Sequence, residues 1–300
     1  MGFLNPIFEP TLKLFFSADI IDSTKLKYTT NRGEWVRIFI DSFNDLKLQY
    51  TSMLKKESLD EQFHVWKSLG DEIIFVEHIG DTQKIQTYVE CFKGAIDKFN
   101  SSKKTSSKLK ATAWLAETPV NNAVMPDTTN ANTIPRQVDV IGPSMDIGFR
   151  ISKFASDRKF VVSVEIARIL SEMKCRDLHI YFDGEEELKG VLKGIAYPII
   201  WVDMLNGHPT TVEKLLNTER KDNQETLKIY LDEYIDEKKY LRFSCLGCLD
   251  IFNGDEYKKD HKEALSDYGI EPDDNLQSCE TEECASKEEQ VMELVGQLKL

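Results

Sequence analysis

No run of about 18 apolar residues occurs in this 300-residue chain, so no membrane-spanning helix is expected. The N-terminus lacks a basic flank followed by an apolar stretch, and no secretion signal is expected either. Met1-Gly2 begins like a myristoylation site, but Pro6 stands where that motif takes Ser or Thr. The expected location is cytoplasmic. The six cysteines are then expected to be reduced, without disulfides.

A basic surplus is also missing. The net charge is −13, and residues 206–300 carry 23 acidic against 12 basic side chains. The first 205 residues are nearly balanced, at 28 against 26. Binding nucleic acid through its phosphates needs the opposite sign, so that partner is not expected. The acidic tail fits solubility or a protein partner. What the chain does have is 41% hydrophobic residues, enough for a real core.

The pattern of those residues predicts an α+β domain. Residues 12–20 read as a strand that runs into a polar turn. From 34 to about 55, Trp35, Ile38, Phe39, Phe43, Leu46, Tyr50 and Leu54 recur at helical spacing. Residues 63–79 read as a hairpin turning at Leu69-Gly70-Asp71. A second helix fits 82–99, and a strand fits 108–120. After a Pro-, Asn- and Thr-rich loop at 119–138, a helix is expected from Pro143. Strand, helix and two further strands follow to about residue 204. The order β-α-β-β-α-β predicts an antiparallel-rich, ferredoxin-like sheet flanked by helices. The domain is expected to span 1–206. An acidic C-terminal extension, 207–300, would carry one or two amphipathic helices over 211–242 and less regular chain beyond.

Two acids stand out by position. Asp19 ends the first strand just before a helix start, where backbone N–H groups can face an anion. Asp71 sits at the hairpin turn, and a hairpin beside the first strand would bring both carboxylates to one edge. Singly, Asp19 reads as a helix cap and Asp71 as a turn residue.

Together they fall in a recognisable order of motifs. Phe16-Ser17-Ala18-Asp19-Ile20-Ile21-Asp22-Ser23-Thr24 resembles the first signature of the class III nucleotidyl cyclase catalytic domain, and Lys67-Ser68-Leu69-Gly70-Asp71 resembles the second. Asp139-Val140-Ile141-Gly142-Pro143-Ser144-Met145-Asp146-Ile147-Gly148-Phe149-Arg150 matches the third in spacing, and Leu188-Lys189-Gly190-Val191 resembles the closing segment. The resemblance covers roughly residues 12–205. It implies that Asp19, Asp71 and the Ile21 carbonyl hold two Mg2+ or Mn2+ ions, with the amides of Ile21, Asp22, Ser23 and Thr24 on the triphosphate. It assigns Arg150 to charge on the α-phosphate, Lys189 to the terminal phosphates, and Lys67 and Asp139 to the base. It also implies a homodimer, with Arg150 acting across the interface.

Several positions depart from purine-cyclase norms. Asp22-Ser23-Thr24 replaces a Gly-Phe-Thr, Pro143 replaces an Asn, and Asp146 stands where an Asn usually orients the ribose. A carboxylate there can accept but not donate a hydrogen bond. The first and third motifs and the tail resemble the bacterial pyrimidine cyclases of the Pycsar antiphage system. Those make cyclic UMP or cyclic CMP, which activates a separate effector. UTP or CTP is therefore the expected substrate. Tyr50 and Trp66 are aromatic candidates for filling a purine-sized pocket. An adenylate or guanylate cyclase, a catalytically silent nucleotide sensor and a tail-organised scaffold remain as alternatives.

In the extension, Cys245-Leu246-Gly247-Cys248 precedes His261, Cys279 and Cys284. Four such ligands can hold zinc, but the second cysteine pair is spaced too widely for a paired knuckle. Reduced cysteines are the preferred reading over a zinc site.

Overall fold

The computed structural model describes residues 11–59, 64–102, 107–125, 139–173, 178–216 and 223–238. It also describes Leu241, Phe243, Lys259, Lys262, Glu263 and Ser266. The chain divides into two compact units, Met1–Leu249 and Asp250–Leu300. The sheet and the helices that flank it belong to the first. Cys245, Cys248, His261, Cys279 and Cys284, the candidate zinc ligands, lie outside the described residues.

The first strand, β1 (Thr11–Ile20), is an interior strand of the sheet. Successive side chains of a strand point to opposite faces, and each face of β1 sets a phenylalanine into an aromatic cluster. Phe16 meets the Tyr50 and Phe92 rings on one side, and both of those rings meet Phe75 in a cluster of stacked and edge-on contacts. Phe15 meets Trp66 and Trp114 on the other. After β1 come α1 (Ser23–Thr29) and α2 (Arg32–Lys56). Asn31 caps α2 by accepting from the Glu34 amide at 2.9 Å. The hairpin β2 (His64–Leu69) and β3 (Glu72–Ile79) turns at Gly70, whose φ of +69° favours glycine.

Next are α3 (Lys84–Ser101) and β4 (Leu109–Thr118). The order β2-β3-β1-β4, with every neighbour antiparallel, is the ferredoxin-like arrangement expected from the sequence. Three more strands extend the sheet to seven: β7 (Lys159–Val162), β9 (Ala196–Asp203) and β8 (Ile180–Glu187). The β4–β7 pair is parallel, and the rest of the sheet is antiparallel. The fold is α+β.

The region expected to be a loop contains β5 (Ala123–Met125), which pairs with β6 (Asp139–Ile141). Burial of Val124 and Val140 explains that small hairpin. Three residues are too few to show a strand period. The helix at Pro143 is α4 (Pro143–Ile151), which packs on β4. A Cβ on Gly148 would come within 2.2 Å of the Trp114 ring, so glycine is what lets α4 lie against that indole.

Past α5 (Val164–Glu172), the described part of 211–242 contains two helices, α6 (Thr211–Leu216) and α7 (Gln224–Glu237). Leu227, Leu231 and Tyr234 of α7 are buried, and α7 packs on α5. Tyr230 donates to Glu185 at 2.7 Å and Tyr234 to the Ala196 carbonyl at 2.9 Å. Those bonds tie α7 to both strands of the outermost hairpin. No helix among the described residues is long and apolar enough to cross a membrane.

Candidate active site

The end of β1 opens into a cleft of about 880 Å3. Asp19, Ile20, Ile21, Asp22, Ser23 and Thr24 line one side, with Asp71 and Lys110 beside them. Ala155, Ser156 and Asp157 also line it. The sheet explains the convergence. Asp19 pairs across to Glu72 on β3 and to Lys110 on β4, so Asp71 lies one residue beyond its neighbour. The Ile20 amide donates to the Asp71 carbonyl at 3.1 Å and locks the two turns together.

The turn after β1 is sharp because Asp22 takes a left-handed conformation, with φ 55°, which Asp tolerates better than most residues. The Ile21 amide donates to the Lys108 carbonyl at 2.9 Å and is therefore not spare for a phosphate. The open amides of a helix's first turn have no intrahelical partner. In α1 they belong to Ser23, Thr24 and Lys25, which line the same cleft as the carboxylates.

Each acid faces a lysine, and Asp71 a hydroxyl as well. Lys110 sits 3.0 Å from Asp19, and Lys27 sits 3.4 Å from Asp71. The Ser23 hydroxyl donates to the other Asp71 oxygen. Burial pushes the Asp19 carboxyl above its ordinary value; Lys110 opposes this, and the nearby charge of Asp71 adds to it. Burial also acts to raise Asp71, but the Ser23 hydrogen bond and Lys27 outweigh it and hold the group below its ordinary value. Glu72, bonded by Ser17, is raised by burial and by Asp19 and Asp71.

The donor set suits a hard divalent cation. Two carboxylates and a backbone carbonyl are all-oxygen ligands of the kind Mg2+ uses together with substrate phosphates. Among the described residues no three His, Cys, Asp or Glu side chains form a group that could hold a metal. The remaining oxygens would have to come from substrate and water.

The other candidates from the sequence do not line this cleft. Lys67 and Asp139 form an ion pair with each other, and the Lys67 ammonium lies 4.4 Å from the Trp66 ring centroid. A register shift between Val65 and Lys67 places Trp66 at a bulge in β2, where it packs beside Phe149. Tyr50, in contrast, is fully buried under the opposite face and bonded to Glu77, so it cannot fill a pocket there. Asp146 and Arg150 are exposed on α4, one helical turn apart. Neither side chain has an ion-pair partner among the described residues. Lys189 is exposed in the connection from β8 to β9.

Lys27, Lys110 and the wall at 155–157 are not anticipated by the sequence. Lys110 carries one visible signal, a charge just ahead of the apolar and small residues 111–116 of its strand. Its partner is set by strand register, which single-sequence periodicity does not supply.

No protein-family model matches the sequence, and no curated protein matches it closely. Similar solved structures include the adenylyl cyclase CyaB from P. aeruginosa, with 12% identity and a TM-score of 0.48 over 65% of this chain and 94% of that one. Another is the guanylate cyclase domain of RhGC from Catenaria anguillulae in complex with GTP, with 15% identity and a TM-score of 0.44 over 64% and 96%. A third is the catalytic core of a rhodopsin-guanylyl cyclase with converted specificity in complex with ATPαS, with 18% identity and a TM-score of 0.46 over 65% and 97%.

Proposed function

We propose that this chain is a nucleotidyl cyclase that converts UTP or CTP into the 3′,5′-cyclic monophosphate and pyrophosphate. The observation that carries the reading is the meeting of Asp19, Asp71 and the turn 21–24 in one cleft. In the reaction the ribose 3′-oxygen bonds to the α-phosphorus as the bond from that phosphorus to the pyrophosphate oxygen breaks. Mg2+ or Mn2+, two ions per site, would acidify the 3′-hydroxyl and take up charge on the leaving group.

The chain's own groups divide the remaining work. Asp19, Asp71 and the Ile21 carbonyl would hold the cations, with Ser23 fixing the orientation of the Asp71 carboxylate. Lys110 and Lys27, displaced from the two acids, would be free to face phosphate oxygens. The amides of Asp22, Ser23 and Thr24 would cradle the triphosphate. A second copy would supply Arg150 for α-phosphate charge, Asp146 for a ribose hydroxyl, Lys189 for the terminal phosphates, and the Lys67–Asp139 pair for the base. The exposure of Asp146 and Arg150 away from the cleft supports this division and a homodimer.

The aromatic bulk of Trp66 and Phe149 beside Lys67 suits the smaller pyrimidine ring. The resemblance to the Pycsar enzymes extends the reading to antiphage defence, with the cyclic nucleotide activating a separate effector. Residues 1–206 would carry the catalytic groups.

Incubation with each of the four ribonucleoside triphosphates and Mn2+, followed by chromatography, tests the reading. Cyclic UMP or cyclic CMP is the expected product. Cyclic AMP or cyclic GMP would move the substrate to a purine, and binding without any cyclic product would favour the sensor.

A further inference from the structure

The cleft wall at 155–157 is tied to the segment beyond residue 206. The residue after that wall is Arg158, whose guanidinium spans two acids. Its Nε and Nη2 donate to the fully buried carboxylate of Asp203, at 3.1 and 3.3 Å. Its Nη1 donates to Glu213 on α6. Glu213 is itself fixed at the start of α6, because its carboxylate accepts from the Thr210 amide and hydroxyl at 2.8 and 2.9 Å. In return its own amide donates to the Thr210 hydroxyl at 3.2 Å. This reciprocal pair is a capping box, the Thr-x-x-Glu signature of a helix start.

The wall leads directly into this anchor. The Ser156 hydroxyl accepts from the Arg158 and Lys159 amides, and the Ser156 amide donates to the Lys159 carbonyl. The Arg158 carbonyl accepts from the Met204 amide at 2.9 Å. Asp203 also accepts from the amides of Leu205 and Gly207 at 3.0 Å. One arginine thus joins the cleft wall, the end of β9 and the first helix of the extension. A lysine could not reproduce this, because its single ammonium lacks the planar fork that spans two carboxylates.

We propose that Arg158 is a positioning residue for the cleft, and that α6, through Glu213, sets where the wall at 155–157 stands. The inference rests on the cleft's role in binding a nucleoside triphosphate. It makes the start of the extension part of the active-site framework, and a partner that pulled on α6 would change substrate affinity.

Two readouts on the full chain test this, using Glu213→Gln and Arg158→Lys. Amide hydrogen exchange at Ala155 and Ser156 is expected to speed up about tenfold in both variants, with α3 unaffected. The KM for the triphosphate is expected to rise roughly three- to tenfold with kcat little changed, the mark of lost substrate binding. Arg168→Lys, which disturbs a comparable arginine joining α5 to Asp232 of α7, serves as the control and is expected to leave KM unchanged. Unchanged exchange at 155–156, or a KM no different from that of the control, overturns the proposal. If the parent chain makes no cyclic product from any nucleotide, the cyclase reading fails, and the exchange data alone decide whether Glu213 holds the wall.

Discussion

At the residue scale, the two acids of the cleft, Asp19 and Asp71, are shifted in opposite directions. A carboxyl whose folded pKa is lowered, as for Asp71, adds stability above its unfolded pKa, and that stability is lost as pH falls through the folded value. A carboxyl whose folded pKa is raised, as for Asp19, does the reverse: its charged form costs stability, and the cost is relieved as pH falls through the raised value. In chelator at neutral pH, Asp71→Asn is therefore expected to lower the urea midpoint. Asp19→Asn is expected to leave it unchanged or raise it, with that advantage fading as pH falls through the raised value and the parent's carboxyl protonates. Both substitutions are expected to cut turnover about a hundredfold or more, because on the proposed reading the two acids hold the cations that take up charge in the transition state. Loss of activity with gain of stability in Asp19→Asn would mark a residue kept for chemistry. Equal destabilisation by both variants would mean that the acids serve only to join the strands.

Gly148 belongs at the same scale. Gly148→Ala would drive a methyl into the Trp114 ring, and overpacking of this kind costs about 1–3 kcal/mol. Urea denaturation checks it, and a change within error would mean that α4 can lift off β4 freely.

At the element scale, long periodic segments are legible in the sequence, and pairings across the sheet are not. The seven apolar positions predicted for 34–55 fall on α2, and five of them, Phe39, Phe43, Leu46, Tyr50 and Leu54, are buried. The turn at Gly70 and the helix at Pro143 are legible from local chemistry alone. The hairpin of β5 and β6 is not, because its two strands are three residues each and separated by a long connection. The candidate site shows the same division. Asp19 and Asp71 are readable from motif order, whereas Lys110 and Lys27 reach those acids through register and helix placement. The extension reads as an appendage in the sequence, yet α7 buries Leu231 completely. Leu231→Ala is expected to destabilise the fold by about 2–5 kcal/mol, a core-sized loss. Denaturant melts followed by tryptophan fluorescence measure it, and a loss below about 0.5 kcal/mol, typical of a surface site, would return α7 to the status of an appendage.

At the scale of the whole molecule, the candidate residues fall into two sets on one chain. Asp19, Asp71 and the turn 21–24 share the cleft, while Arg150 and Asp146 stand exposed on α4. On the proposed reading a complete site requires two copies, each lending its α4 to the other's cleft. Mixing two inactive variants tests this most directly. Asp71→Ala lacks the carboxylate half and Arg150→Ala lacks the guanidinium half, so each alone is expected to be inactive. A mixed dimer rebuilds one intact site of its two, and after subunit exchange an equal mixture is expected to recover about a quarter of the parent's cyclic-nucleotide production, since half the dimers are mixed. A mixture as inactive as its components, although mass spectrometry finds mixed dimers, would contradict the shared site.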